Sequence, residues 1–244
     1  MEPHALTLAG KVAVITGAGR GIGRAIAMAY ARAGAAVVCG ARSRGEIEAT
    51  VALIAANGGT ASACVADVCS HASMQALFQH AAGIHGGVDI VVANAGGGFH
   101  AHHVADADPV QWAETIQTNL IGAFHTAHAA IPHLRARGAG KLIFMGSGAR
   151  NDTVPGMSAY AASKLALWKL TQVLAMELHA YRISVNELIP GPVKTAMTDF
   201  GARSFAPSEW VKEPDDVVPM AMFLATQPDI GPTAQSFSLM RRAN

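Results

Sequence analysis

Tyr160 and Lys164 stand at i and i+4 in a stretch, Ser158 to Ala180, whose residues predict a helix, so both side chains leave the same face. A free phenol titrates near pH 10 and is a poor base at neutral pH. A neighbouring ammonium favours the phenolate and lowers that value, and lowering it by about 3 units requires roughly 4 kcal/mol of differential interaction. A phenol poised in this way can donate a proton to the alkoxide that forms as a hydride adds to a ketone. In the reverse direction it can accept the proton of an alcohol.

Hydride chemistry needs a carrier, and a turn early in the chain has the composition to hold one. Thr16-Gly17-Ala18-Gly19-Arg20-Gly21-Ile22-Gly23 follows the β-branched run Lys11 to Thr16 and precedes the helical stretch Ile22 to Arg32. Glycines let the backbone turn tightly and approach a pyrophosphate, and the helix N-terminus offers free N–H groups and the positive end of its dipole. The spacing is G-x-x-x-G-x-G rather than the commoner G-x-G-x-x-G. The next strand ends Val37-Val38-Cys39-Gly40-Ala41-Arg42-Ser43. A site selective for NAD usually places an acid there to accept the ribose hydroxyls. Ala41 stands where that acid is expected, Arg42 offers a planar fork for a phosphate, Ser43 adds a hydroxyl, and Arg20 is a second cation. NADP(H) is therefore the expected cofactor, with NAD(H) as the alternative.

These residues need a frame, and the alternation of apolar runs supplies it. Strands are predicted at Lys11 to Thr16, Ala35 to Gly40, Thr60 to Ala66, Val88 to Ala93, Lys141 to Met145, Ile183 to Ile189 and Gln235 to Leu239. Helical stretches lie between them, including one long helix from Pro109 to Arg137 and a late one from Pro214 to Ala225. Strands alternating with helices mean βαβ units and a parallel sheet, and strands apolar on both sides mean a sheet covered on both faces. The expectation is one α/β domain over residues 1–244, a doubly wound Rossmann fold of about seven strands, with a substrate flap at about 195–213.

With the order of the motifs added, the chain resembles the short-chain dehydrogenase/reductase family, and its carrier-protein-linked 3-oxoacyl reductases in particular. The resemblance rests on TGxxxGIG, Asn94-Ala95-Gly96 after the fourth strand, Ser147 with Tyr160-x-x-x-Lys164, and Pro190-Gly191 followed by Val193 and Thr195. It implies a catalytic group of Asn119, Ser147, Tyr160 and Lys164. Ser147 would orient the substrate oxygen, Lys164 would also hold the nicotinamide ribose, and Asn119 would anchor a water that relays protons. It implies a cofactor site of Gly17, Gly19, Arg20, Gly21, Ile22, Gly23, Arg42, Ser43, Asp67, Val68, Asn94, Ala95, Gly96, Tyr160, Lys164, Pro190, Gly191, Val193 and Thr195, with Asp67 on the adenine amino group. The activity implied is that of a carbonyl reductase or alcohol dehydrogenase on a small carbonyl or alcohol, with a homotetramer as the common assembly. The alternatives are a reductase of carrier-bound 3-oxoacyl chains and a non-catalytic nucleotide sensor or scaffold. The former would need a basic docking patch, for which Arg135, Arg137 and Arg182 are the candidates.

Composition narrows the rest. Of 244 residues, 51% are hydrophobic and the formal net charge is +1, so no global field draws in nucleic acid or an anionic membrane. Met1 to Ala9 lack a basic start followed by an apolar run, and no apolar stretch is long enough to span a bilayer. The location expected is cytoplasmic. Cys39, Cys64 and Cys69 form no C-x-x-C pair and read as reduced core residues. Histidines number eleven, and Phe99-His100-Ala101-His102-His103 looks metal-like, yet alternate loop positions give no defined ligand geometry, so no metal is expected. That loop reads instead as pocket lining or a solvated turn. Glu187, inside the apolar strand V-N-E-L-I, must find partners, stay protonated or face a wet edge. It reads as structural or as a subunit contact, with tuning of the site as the alternative.

Overall fold

β1 (Val12–Thr16) sits at the centre of the sheet because every one of its residues is apolar or small, and all five are buried. It pairs in parallel with β2 (Ala36–Ala41) on one side and β4 (Ile90–Ala93) on the other. A computed structural model describes residues 7–97, 102–152, 154–198 and 210–240. With β3 (Thr60–Val65), β5 (Gly140–Met145), β6 (Ile183–Ile189) and β7 (Ser236–Ser238), the strands form one parallel sheet in the order β3-β2-β1-β4-β5-β6-β7. The order reverses between β1 and β4, and ligands of such sheets bind in the crevice at that point, outside the carboxyl ends of the strands.

Successive side chains of a strand point to opposite faces, so the sheet feeds two cores. Val14, Val91, Leu142 and Phe144 pack under α3 (His71–His85), α5 (Gly122–Ala136) and α6 (Ser158–Leu178), against Leu77, Ala127 and Leu167. Ala13, Ile15, Val92 and Ile143 pack under α1 (Gly21–Arg32), α2 (Arg44–Ala56) and α7 (Val218–Thr226), against Ile26, Ile54 and Leu224. Each Val, Leu, Ile or Phe among them contributes about 1.5–3 kcal/mol by leaving water. The Tyr30 hydroxyl, fully buried in the second core, donates to the Ala221 carbonyl at 2.8 Å, so the phenol costs little there.

Two sequence expectations change here. The long helix predicted from Pro109 to Arg137 is broken into α4 (Pro109–Ile116), a π-turn (Gln117–Ile121) and α5. The extra residue in that turn carries Asn119, discussed below. Of the three thiols only Cys39 is buried. Cys64 and Cys69 are partly exposed, packed against the rim of the first core.

Asp89, just before β4, ties down the opposite, amino-terminal end of the sheet. It accepts from the Val12 N–H at 2.8 Å and from Arg137 Nε and Nη2 at 3.0 and 3.1 Å. Arg182 donates to the Gly138 carbonyl and Arg135 stacks on Tyr181. These arginines precede β5 and β6 in a parallel sheet, so they lie at the end away from the carboxyl-edge crevice. They do not form a docking patch at its mouth.

Candidate active site

The turn after β1 is held open by its neighbour across the reversal point. Asn94 donates from Nδ2 to the Thr16 and Gly17 carbonyls at 2.9 and 3.3 Å, while the Asn94 and Ala95 N–H groups donate to Thr16 Oγ1 at 3.1 Å. Gly17 and Gly21 sit at φ +68° and +54°, a region that favours glycine. A Cβ on Gly23 would press into the Gly17 carbonyl and lie 2.6 Å from Asn94 Nδ2. The first turn of α1 therefore abuts the turn directly. It has no side-chain cap at Arg20 and no acid among its first residues, so its N–H groups and dipole are available to an anion. Thr195, in the loop after β6, closes this turn, its Cγ2 3.2 Å from where a Cβ on Gly21 would be.

The adenosine end is less uniform than the sequence suggests. Arg42 and Ser43 are exposed beside Ala41, and Arg42 forms no ion pair with a described residue. Arg20 differs: its Nη1 is 3.6 Å from Glu46 Oε1, an exposed ion pair within the chain. Asp67 uses Oδ1 to accept the Cys69 N–H at 2.9 Å, which fixes the turn after β3. Val68 is buried, and its carbonyl takes His125 Nδ1 at 2.9 Å.

At the carboxyl ends of β4, β5 and β6 the proposed catalytic residues converge. Asn119, 1% exposed, pairs twice with one peptide backbone: its Nδ2 donates to the Gly97 carbonyl at 2.8 Å and its Oδ1 accepts the Gly97 N–H at 3.0 Å. The π-turn swings Asn119 out of the helical register, and these two bonds offset its poorer backbone geometry. A Cβ on Gly96 would lie 2.8 Å from Asn119 Oδ1 and 3.9 Å from Lys164 Nζ, so Gly96 leaves the space between them clear. Lys164, 4% exposed, donates from Nζ to the Met145 carbonyl at 2.8 Å, and its Nζ is 5.6 Å from the centre of the Tyr160 ring. Ser147 follows β5, and its hydroxyl is hydrogen-bonded to Tyr160.

The electrostatics differ from the expectation at one point. Burial around the hydroxyl pushes the Tyr160 phenol above its ordinary value, only partly relieved by Ser147. Burial also lowers Lys164 to about 8, against a partial lift from the Glu187 carboxylate. Without cofactor, burial thus disfavours the charged form of each group, the phenolate of Tyr160 and the ammonium of Lys164.

The model of the family described as short chain dehydrogenase matches residues 11–203. The chain belongs to that family. Short-chain dehydrogenases are oxidoreductases, and this one is 36% identical over 210 residues to tetrahydroxynaphthalene reductase of Pyricularia oryzae, covering 85% of this chain and 73% of that one. A 7α-hydroxysteroid dehydrogenase complexed with NADH and 7-oxo glycochenodeoxycholic acid superimposes with a TM-score of 0.90 at 30% identity, over 96% of this chain and 94% of that one. A structure from Beutenbergia cavernae, named for an NAD(P)-dependent gluconate 5-dehydrogenase and holding NADP, gives 0.85 at 34% identity, over 96% of each chain. In this short-chain dehydrogenase no helix among the described residues is long and apolar enough to cross a membrane.

Sequence reasoning missed three contributors. Met240, beyond β7, packs where side chains on Gly148 and Gly191 would be, so Met240 walls the site beside Ser147. Lys212 is fully buried, with its Nζ donating to the Trp210 carbonyl at 3.0 Å and lying 3.2 Å from a Cβ on Gly191. Nothing in local composition marks either. The third, Arg150, pairs with Glu187, which is neither a subunit contact nor at a wet edge: it is fully buried within the chain. Phe99 and His100, and most of the flap from Ala196 to Glu213 including Phe200 and Phe205, lie outside the described residues.

Proposed function

We propose that this chain is an NADP(H)-dependent carbonyl reductase or secondary-alcohol dehydrogenase with Tyr160 as its general acid and base. The observation that carries this reading is the convergence of Ser147, Tyr160 and Lys164 at the carboxyl edge, beside a glycine cradle whose helix terminus is left uncapped. The nicotinamide supplies or accepts the hydride when bound. The N–H groups of the first turn of α1 bind its pyrophosphate. Gly17, Gly19, Ile22, Asn94, Ala95, Pro190 and Val193 shape the trough, and Asp67 and Val68 face the adenine. Arg42 and Ser43 grip the 2′-phosphate, which no carboxylate at Ala41 repels.

Ser147 orients the substrate oxygen, and Tyr160 passes it a proton as the carbonyl becomes an alcohol. Lys164 holds the ribose and stabilises the phenolate when the reaction runs towards the ketone. Asn119, locked to Gly97, keeps the π-turn beside Lys164 and anchors the water through which the proton is replaced. The segment from 196 to 213 is short for a substrate lid, and this favours an open pocket that takes bulky or varied ketones. Exposed Leu165, Val173 and Met176 on α6, at 53, 45 and 77%, support a homo-oligomer, a tetramer on the family resemblance. The test is a panel of ketones and secondary alcohols followed by the absorbance of the reduced nicotinamide with both cofactors. Turnover favouring NADPH supports the reading, and no turnover of any member contradicts it.

A further inference from the structure

The residues behind the Ser–Tyr–Lys group form a second, wholly internal arrangement. Glu187 on β6 is 0% exposed. Its Oε2 accepts the Ser236 hydroxyl of β7 at 2.7 Å and lies 2.8 Å from Arg150 Nη1. That last contact is an ion pair without the alignment of a hydrogen bond. Arg150, its side chain 9% exposed, also donates from Nη2 to Ser236 at 3.1 Å and lies 4.4 Å over the Trp168 ring, one turn beyond Lys164 on α6. Glu187 Oε1 is buried with no hydrogen-bond partner among the described residues, and it occupies the space that a side chain on Gly146 would need. Gly146 lies between Met145, whose carbonyl holds Lys164, and Ser147.

Leaving a carboxylate oxygen buried and unpaired is costly, and an apolar residue in this strand would fold more easily. We infer that Glu187, clamped by Arg150 and Ser236 behind Gly146, is a positioning residue that keeps Lys164 protonated for its work on Tyr160. This rests on the proposed role of Tyr160. Among the described residues no other acid is found to raise Lys164. The groups around Lys164 are Tyr160 on its own helix, Asn119 on the π-turn and Gly96 after β4, with the Glu187 carboxylate behind Gly146, next to the Met145 carbonyl that holds Lys164, and Arg150 beyond that carboxylate. With Glu187 neutral, burial of Lys164 is unopposed, the ammonium is lost at lower pH, and the phenolate then forms only at higher pH.

The test is Glu187→Gln, which keeps the shape and an acceptor for Ser236, assayed in the direction of alcohol oxidation on a secondary alcohol that the wild type turns over. The inference predicts that kcat at neutral pH falls about tenfold or more, part of the ~10²–10⁴ that a positioned acid or base contributes. It also predicts recovery as pH rises, with KM for the alcohol within about twofold of wild type. Tyrosinate absorbance, differenced against the same protein carrying Tyr160→Phe, should show the same alkaline displacement without substrate. If Glu187→Gln does not fold, Arg150→Met with Glu187→Met removes the pair together, a replacement that cores often tolerate, and the same displacement is expected. A kcat–pH profile of unchanged shape, at full or uniformly reduced rate, overturns the inference. Full turnover by Tyr160→Phe overturns the reading beneath it as well, so the two failures are told apart.

Discussion

Replacing Lys164 by methionine should make the protein without cofactor more stable at neutral pH, although it removes a residue proposed for catalysis. The Lys164 ammonium is 4% exposed, and burial takes its pKa from 10.5 to about 8. That displacement corresponds to about 3 kcal/mol by which the folded state disfavours the charged form. Between about 8 and 10.5 the unfolded chain binds the proton more readily than the folded one, so stability from this group rises with pH through that window. Below about 8 the cost is present in full. Methionine fills much the same space without charge, but it loses the 2.8 Å bond to the Met145 carbonyl, about 1 kcal/mol. The net expectation is a gain of about 2 kcal/mol near pH 7, vanishing or reversing near pH 10. Glu187 keeps Ser236 and Arg150 as partners in the variant, so no new charge is orphaned. Urea unfolding of both proteins at the two pH values measures the difference directly. A variant less stable near pH 7, or a difference that does not change with pH, would refute the reasoning.

Three further outcomes follow from the geometry. Gly23→Ala must displace the Gly17 carbonyl or the Asn94 amide and should weaken NADPH binding at least about tenfold, read by fluorescence titration. Ala41→Asp with Arg42→Ile should move kcat/KM towards NADH by about ten- to a hundredfold, since each charged hydrogen bond contributes about 1.5–3 kcal/mol; an unmodified protein that already prefers NADH would remove the basis for this. Light scattering at micromolar concentration should give a mass above that of one chain, and a monomer would contradict the reading of the exposed apolar side of α6.

Most of the frame was legible because it depends on local patterns. β1, β4 and β5 are short apolar runs ending at glycine or a polar turn, and the sheet repeats their boundaries to within two residues. The glycine turn and Tyr160-x-x-x-Lys164 were legible because each encodes a requirement that acts within a few residues. What was not legible depends on distant partners. The π-turn at Asn119 owes nothing to hydrophobic period: it is fixed by the Gly97 backbone, a different loop. The charge of Glu187 announced that a partner was needed, yet Arg150 is identified only by the fold. The composition offered Arg20 as a second cation, and only the fold reveals that Glu46, from the next helix, stands beside it. The spacing of Tyr160 and Lys164 likewise reveals that an ammonium is near, but the fold decides how far burial opposes the charge on each.

The central claim, that Tyr160 is the acid and base of hydride transfer, is tested most directly by Tyr160→Phe. The hydroxyl touches Ser147 and the ring lies beside Lys164, so its removal should spare the glycine cradle and the two cores. The measurement is kcat on any ketone that the wild type reduces, alongside NADPH affinity and thermal unfolding of the same preparation. The account predicts a loss of about 10²–10⁴ in kcat with affinity and unfolding temperature close to wild type. Wild-type kcat in a folded, NADPH-binding Tyr160→Phe protein would contradict it.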